Sequence, residues 1–198
     1  MGGGGVVIWD LDRGTRLTTE PLHAGDVVKS LAFSPDGDTL AAGYATMAGG
    51  VVLRDVRRGR PRPIGVTLEV PEGPVSSVAF SPKGDVLAAG FRDGGFVDGR
   101  VSGRGGTLIW DVEQLSRLSI QPLWAEQGPV TSLAFQGDGQ FLAAGTSGGI
   151  TLYKIDRGHL LKQVERIANR NLTRVEWVRY CPDTAYRRTF QHLPVPPE

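Results

Sequence analysis

Metal-binding and disulfide-forming residues are scarce in this sequence. Its 198 residues include one cysteine, Cys181, and three histidines that are far apart and show no ligand spacing. A single cysteine excludes a disulfide within the chain and a cysteine-rich zinc site. We therefore predict no metal site and no cofactor, and the cytoplasm is the expected compartment.

Long apolar runs and an excess of one charge are also absent. No apolar run reaches the roughly 18 residues that a transmembrane helix requires, so we expect no membrane partner. The 22 basic and 21 acidic residues leave a net charge of +1, which gives no global field that would favour nucleic acid. Residues 1–5 lack the basic and apolar regions of a signal peptide, and we interpret them as a flexible glycine leader or as the scar of a truncated gene.

Glycine and proline are abundant, and three segments of the sequence repeat. The 28 glycines and 13 prolines suit a fold with many short strands and turns. Each repeat has a Val-x-Ser run that ends in Ala-Phe, then a turn, then Leu-Ala-Ala-Gly. The phenylalanines that end the three runs, Phe33, Phe80 and Phe135, are 47 and then 55 residues apart.

A second signature closes each repeat and marks a further strand. It reads Val-Val-Leu-Arg-Asp at 51–55, Thr-Leu-Ile-Trp-Asp at 107–111 and Ile-Thr-Leu-Tyr-Lys at 150–154. A fourth copy, Val-Val-Ile-Trp-Asp at 6–10, has no repeat before it. Weaker apolar runs, which we interpret as outer strands, follow at 17–22, 66–70 and 118–123.

The residue types of each repeat predict an antiparallel unit of short strands. The run from valine to phenylalanine is rich in strand formers and predicts a strand that is buried on both faces. Ser-Pro-Asp-Gly at 34–37 predicts a turn, since proline presets φ, aspartate bonds the backbone and glycine accepts a positive φ. Four strands per unit at a spacing of roughly 40 to 50 residues are typical of a propeller blade.

These motifs resemble the WD-repeat β-propeller family over residues 6–156. The resemblance implies an all-β fold, a partial propeller of about three blades that are each a four-stranded antiparallel sheet. Arg54, Tyr153 and Lys154 replace the family's Trp or Asp, and its Gly-His before the first strand is missing, so the blades are expected to depend on packing. The expected units are a partial blade at 6–22, blades at 27–70 and 75–123, and a three-stranded unit at 130–156.

We expect this chain not to close a propeller by itself. The predicted strands number about thirteen, or roughly three and a quarter blades, whereas known propellers use about four to eight blades. Two open edges follow from this count, at Val6–Trp9 and Ile150–Ile155. Exposed strand edges invite pairing with another chain, so self-association is expected.

Residues 157–198 follow a different period. Apolar side chains recur every three or four positions between Gly158 and Tyr180, which predicts one or two amphipathic helices before an extended, proline-rich end. The run from Ile167 to Arg174, with Trp177 beyond it, resembles a tail found after bacterial propellers. Those propellers are usually the C-terminal parts of multidomain proteins with signalling NTPase, caspase-like or kinase domains, and the resemblance implies such a parent here.

The sequence contains no constellation of catalytic residues. The serine of Ser-Pro-Asp-Gly belongs to a turn rather than to a nucleophile elbow. The glycines at 103–106 lack the Lys-Ser/Thr of a phosphate-binding loop and open no helix. Asp10, Asp55 and Asp111 recur at strand ends, where we expect them to bond the backbone amides of turns. We predict no catalytic, cofactor-binding or metal residues, and hence no enzyme.

The connection at 91–106 is the candidate partner-binding segment. It has sixteen residues, against seven at 44–50 and four at 146–149, and family geometry implies a position on the face where partners dock. The alternative is a tolerated insertion, because loop closure costs only about 0.6 kcal/mol per doubling of length. We expect it to be the most mobile segment between the first and last strands. Aromatic and arginine side chains are enriched at binding hot spots, and the candidates are Phe91, Arg92, Asp93, Phe96, Asp98, Arg100 and Arg104.

Three functional hypotheses follow from these patterns. The favoured one is a non-catalytic scaffold that binds a protein, a peptide or other domains of its parent. The second is a ligand-sensing propeller that restrains an upstream NTPase, protease or kinase domain, and the third is a propeller-type hydrolase. The arginines of the tail are interpreted as a solvated helix face rather than a nucleic-acid site.

Overall fold

The computed structural model of the chain describes residues 5–18, 22–23, 27–45, 49–57, 61–93, 96–97, 100–101, 103–119 and 121–155, together with 173–175 and 194. The chain divides into two compact units, Met1–Ile155 and Asp156–Glu198. The predicted helical tail lies outside the described residues apart from 173–175 and 194, and residues 1–4 of the predicted leader also lie outside them. The tail helices and the leader remain predictions.

The first unit is built from short antiparallel β-strands that we number in chain order. They are β1 (Gly5–Val6), β2 (Trp9–Asp10), β3 (Thr15–Arg16), β4 (Leu22–His23), β5 (Val28–Phe33), β6 (Thr39–Tyr44), β7 (Gly49–Asp55), β8 (Arg62–Val70), β9 (Val75–Phe80), β10 (Val86–Arg92), β11 (Phe96–Val97), β12 (Arg100–Val101), β13 (Gly105–Asp111), β14 (Ser116–Arg117), β15 (Leu123–Ala125), β16 (Val130–Phe135), β17 (Phe141–Thr146) and β18 (Gly149–Lys154).

The first complete blade, blade 1, is a consecutive four-stranded sheet. Strands β5, β6, β7 and β8 pair in chain order, and every pair is antiparallel. This meander confirms the predicted order of the strands near 27–34, 39–43 and 51–56. The outer strand β8 is longer than the predicted run at 66–70, because its pairing with β7 already begins at Asp55 and Arg62.

Blade 2 has the same order, but its outer strand is in two pieces. Strands β9, β10 and β13 pair consecutively, and β14 and β15 pair with opposite ends of β13. The single outer strand predicted at 118–123 is therefore wrong. Leu118 is buried, and Pro122 has no N–H for a strand ladder, so the chain leaves β13 between the two pieces. Blade 3 consists of β16, β17 and β18.

The N-terminal hairpin repeats the outer half of blade 2. Trp9 lies opposite Arg16 in the β2–β3 pair, just as Trp110 lies opposite Arg117 in the β13–β14 pair. Trp9 is 57% exposed whereas Trp110 is 2% exposed. The described residues of the hairpin have no inner strands beside them, and blade 2 supplies two. The paired strands β2 and β3 lie within the partial blade that was predicted at 6–22, whose bounds remain a prediction.

The turn between the first two strands of blade 1 follows the predicted chemistry. The Ser34 hydroxyl donates to Asp36 Oδ1 at 2.5 Å and accepts a hydrogen bond from the Thr39 N–H at 2.9 Å. The hydrogen bond from Ser34 lowers the pKa of the Asp36 carboxyl. Gly37 has a φ of 77°, a backbone conformation that residues with a side chain disfavour. Serine, aspartate and glycine thus fix the chain reversal together.

The main hydrophobic core lies between blades 1 and 2. Strand side chains alternate between the two faces of a sheet, so each blade presents one apolar face to the blade before it and one to the blade after it. A second cluster joins Val6 to Leu40 and Ala42, and a third joins Ala125 to Val130 and Ala144. The buried members of the main cluster are Ala41, Val51, Leu53, Leu68, Val70, Val75, Val78, Leu87, Ala89, Phe91, Leu108 and Trp110.

A repeated polar contact joins one blade to the next. The Val78 N–H of blade 2 donates to Ser30 Oγ of blade 1 at 3.0 Å. The Leu133 N–H of blade 3 donates to Ser77 Oγ of blade 2 at the same distance, 3.0 Å. The serine of the Val-x-Ser run in blade 1 and in blade 2 therefore accepts a backbone hydrogen bond from the inner strand of the following blade.

Candidate protein-interaction surface

The long connection in blade 2 is shorter than the sequence suggests and contains a short strand pair. Strand β10 continues to Arg92 and β13 begins at Gly105, so the connection spans 93–104 rather than 91–106. Within it, β11 and β12 pair antiparallel, with Phe96 opposite Val101 and Val97 opposite Arg100. The Asp93 N–H donates to the carbonyl oxygen of Arg104 at 3.0 Å. The two ends of the connection are thus held together by the backbone.

Phe91 belongs to the core, and its prediction as a partner-binding residue is wrong. It lies within β10, opposite Gly106 of β13 and Val75 of β9, and its side chain is fully buried. Its ring meets Trp124 edge to face, with 5.8 Å between the ring centroids and 77° between the planes. Phe91 therefore packs beneath the exposed Trp124 ring and is not itself available to a partner.

Trp124 is the exposed side chain that Phe91 supports. It lies in β15 opposite Gly106, and 37% of it is exposed. The Arg104 guanidinium carbon lies 5.1 Å from the centroid of the Trp124 ring system, within the range of a cation–π interaction. A tryptophan held from two sides keeps few alternative conformations, so a partner that contacts it loses little conformational entropy on binding. We call Trp124, Arg104 and Phe91 the Trp124 cluster.

The other predicted partner-binding residues divide into two groups. Arg92 is exposed and Asp93 is half-buried, and both lie at the base of the connection beside Arg104. Phe96 and Arg100 take part in the β11–β12 pair, but their side chains and Asp98 lie outside the described residues. The structure therefore brings Arg92, Asp93 and Arg104 together.

Sequence reasoning missed Trp124, which lies one residue beyond the outer strand that it predicted. A signal for it was present, because Trp124 is a tryptophan outside the Trp-Asp positions 9–10 and 110–111. Tryptophan is among the residue types most enriched at binding hot spots. Only the pairing of β15 with β13 shows that this side chain lies over Phe91.

The strand-end aspartates have the structural role that was predicted for them. Asp10 accepts a hydrogen bond from the Arg13 N–H at 3.0 Å, Asp55 from the Arg57 N–H at 2.9 Å and Asp111 from the Gln114 N–H at 2.9 Å. Arg57 also donates through its side chain to Asp55, which lowers the pKa of that carboxyl to about 2. These carboxylates stabilise turns at the ends of the third strands.

The described residues contain neither a metal-binding cluster nor a membrane-spanning helix. Among the residues that the structure describes, no group of three or more His, Cys, Asp or Glu side chains could hold a metal ion. Within the same part of the chain, no helix has the length and hydropathy to cross a membrane.

The described strands define a partial β-propeller of antiparallel blades, and two comparisons agree with this class. Residues 14–50 and 63–97 match the family model of the WD domain, G-beta repeat. Residues 107–180 match the model of the anaphase-promoting complex subunit 4 WD40 domain. No curated protein matches the chain. The fold and the two family models together support the WD-repeat family for this chain.

Proposed function

We propose that this protein is a non-catalytic scaffold that binds a protein or peptide through the Trp124 cluster. WD repeats generally mediate protein–protein interaction, which is compatible with a scaffold. The observation that carries the proposal is an exposed tryptophan fixed between a buried phenylalanine and an arginine. Aromatic and arginine side chains that are held in place are the usual anchors of a binding interface.

A peptide library selected on the intact chain tests this proposal. Selected peptides are expected to lose about 30-fold or more in affinity for a Trp124→Ala variant, because truncation of a hot-spot residue typically costs at least about 2 kcal/mol. Trp9→Ala is the matched control, since Trp9 is an exposed tryptophan outside the cluster. Peptides that bind Trp124→Ala as well as the unchanged chain would contradict the proposal.

The proposal extends to the parent protein and its location. We infer that the chain is the C-terminal part of a larger bacterial signalling or effector protein in the cytoplasm, and that its scaffold serves other domains of that parent. The resemblance of the run Ile167–Arg174 to tails of bacterial propellers supports this inference. The genomic sequence upstream of Met1 tests it, and an NTPase, caspase-like or kinase domain there is the expected finding.

A hydrolase function finds less support. Asp10, Asp55 and Asp111 bond turn amides at strand ends instead of converging on one site, as hydrolysis requires. A rise in melting temperature on titration with divalent metal ions would favour the hydrolase over the scaffold.

Self-association is the remaining part of the proposal. Ile150 and Leu152 of β18 and Leu31 and Phe33 of β5 are exposed apolar side chains. Exposed apolar surfaces of a sheet promote association, and we expect the chain to form oligomers in solution.

A further inference from the structure

We propose that the open face of blade 3 is a docking site for strand β5 of a second copy of this chain. The inference rests on the self-association proposed above and adds its geometry. It is independent of the Trp124 cluster. The two junctions between consecutive blades of this chain show which residues such a blade face binds.

Both internal junctions combine a serine and a glycine with a valine of the next blade. At the first junction, a Cβ on Gly43 would lie 2.6 Å from Cγ1 of Val75, so the absence of a side chain there lets Val75 approach. At the second, a Cβ on Gly90 would collide with Val130. The serine opposite each glycine, Ser30 or Ser77, accepts the hydrogen bond from the following blade.

Blade 3 carries the same pair of residues in the same register. Ser132 lies opposite Gly145 in the β16–β17 pair, as Ser30 lies opposite Gly43. Yet Leu152 is 66% exposed, whereas Leu53 at the equivalent position of blade 1 is 2% exposed. Within the part of the chain that the structure describes, no following blade covers this face.

The uncovered face is shaped to receive apolar side chains. A depression of about 370 Å³ lies on it, between the inner two strands and the third strand of blade 3. Its lining is almost wholly apolar, and burial of such a surface is favourable. The lining residues are Ala134, Phe135, Gln136, Phe141, Ala143 and Leu152.

Strand β5 carries the complementary half of the junction. Val28 and Leu31 occupy the positions at which Val75 and Val78 of β9 contact blade 1. Leu31 is 49% exposed whereas Val78 is 5% exposed. Val75 and Val130 already fill the internal junctions. In the part of the chain that the structure describes, β5 is the Val-x-Ser strand whose valine side has no preceding inner strand against it. This identifies β5 of another copy as the occupant.

The docked arrangement repeats the internal junctions across two molecules. Val28 of the second copy would lie over Gly145, and its Leu31 N–H would donate to Ser132 Oγ. The two surfaces lie at different ends of the first unit, so the contact is head-to-tail and builds either a closed ring or a chain of copies.

The N-terminal hairpin partly occupies the surface of blade 1 that a second copy would contact, and docking is expected to displace it. Val6 packs on Leu40 and Ala42, where the third strand of an incoming blade would lie. Among the described residues 5–18 of the hairpin, Val6 and Thr18 are the buried ones. Displacement of the hairpin exposes Val6, Leu40 and Ala42. The incoming blade would cover Leu40 and Ala42 again, and docking would also bury Leu31 and Leu152.

Sedimentation velocity of the full chain over a range of concentrations tests the proposal. The unchanged chain is expected to associate as its concentration rises. Leu152→Asp and Leu31→Asp each bury an unpaired carboxylate in the contact, and each is expected to raise the dissociation constant by roughly 100-fold or more. Val66→Asp is the matched control, because Val66 is also an exposed apolar side chain but lies on the outer strand β8. Circular dichroism and melting curves verify that each variant is folded.

Mixing the two variants distinguishes a second copy from any other occupant. Leu152→Asp keeps an intact β5 and Leu31→Asp keeps an intact blade 3 face, so an equimolar mixture is expected to form heterodimers that grow no further. A mixture that stays monomeric overturns the proposal, because the intact β5 of one variant then fails to bind the intact blade 3 face of the other. Association of Leu31→Asp by itself also overturns the proposal, because it shows that the face pairs with itself or with the C-terminal tail. If neither variant weakens association, the proposed contact between β5 and the blade 3 face is wrong, although self-association itself is supported. A monomeric unchanged chain overturns both, and none of these results affects the peptide test at Trp124.

Discussion

Gly90 provides the sharpest test of how the blades are joined, through the substitution Gly90→Ala. A Cβ at Gly90 would collide with Val130 Cγ1 and lie 3.1 Å from the Val130 Cβ and 3.4 Å from Leu133 Cδ1. Valine is stiff about χ1 in a strand, and Val130 is itself buried, so it cannot turn away. The backbone of β16 would have to shift, which typically costs about 1–3 kcal/mol of unfolding free energy.

The matched control is Gly145→Ala in blade 3. A Cβ there would meet the Ser132 hydroxyl, a rotatable group of the same blade, and no residue of a following blade. The added methyl also reduces the conformational entropy of the unfolded chain, which stabilises by about 0.4–1 kcal/mol where the geometry permits alanine. Gly145→Ala is therefore expected to be neutral or slightly stabilising.

Urea unfolding and melting curves of both variants measure the difference. A loss of about 1 kcal/mol lowers the melting temperature by roughly 2–4 °C in a protein of this size, so Gly90→Ala should melt several degrees below Gly145→Ala. Equal stability of the two variants would refute the reasoning, because it would show that the glycine is not needed for the approach of the next blade. The measurements should be made at low concentration, where self-association does not alter the result.

Two further substitutions test the surface chemistry and the core. Phe91→Ala removes a fully buried ring from beneath Trp124 and is expected to lower the unfolding free energy by about 3–5 kcal/mol. A loss below about 1 kcal/mol in urea unfolding would contradict the placement of Phe91 in the core. The pKa of Asp55 is about 2 because Arg57 bonds its carboxylate, and Arg57→Ala is expected to raise it toward its ordinary 3.8. Since the folded pKa is the lower one, the stabilisation is present above the unfolded pKa and is lost as the pH falls toward 2; NMR titration of the carboxyl carbon measures the pKa, and an unchanged value would contradict the assignment.

The inner three strands of each blade could be predicted from the sequence because their signals are local. The alternation of side chains, the Ser-Pro-Asp-Gly turn and the strand-end aspartates all act within a few residues of one another. Asp111 and Gln114, for example, are three residues apart. Interactions of this range leave a pattern that can be read without knowledge of the rest of the fold.

The burial of Phe91 could not be predicted in the same way. Its position at the start of a glycine-rich connection suggests a loop, but β13 and β15 bring Gly106 and Trp124 beside it. The contact with Trp124 joins residues far apart in the chain, and it depends on a break in the outer strand that no turn motif marks. The serine bridges between blades were missed for the same reason, since Ser30 and Val78 are 48 residues apart.

The Trp124 cluster belongs to blade 2, which packs on one side of blade 3, and the docking face is the other side of blade 3. Tyr153 points toward blade 2, where its hydroxyl donates to the carbonyl oxygen of Leu123 at 3.1 Å, next to Trp124. Leu152 is its neighbour in β18 and points to the other face, because successive side chains of a strand alternate. A peptide bound at the Trp124 cluster therefore need not compete with a second copy docked on blade 3. An assembly of copies would then present the Trp124 cluster once per copy, and a partner with several binding segments would bind it more tightly than it binds a single chain.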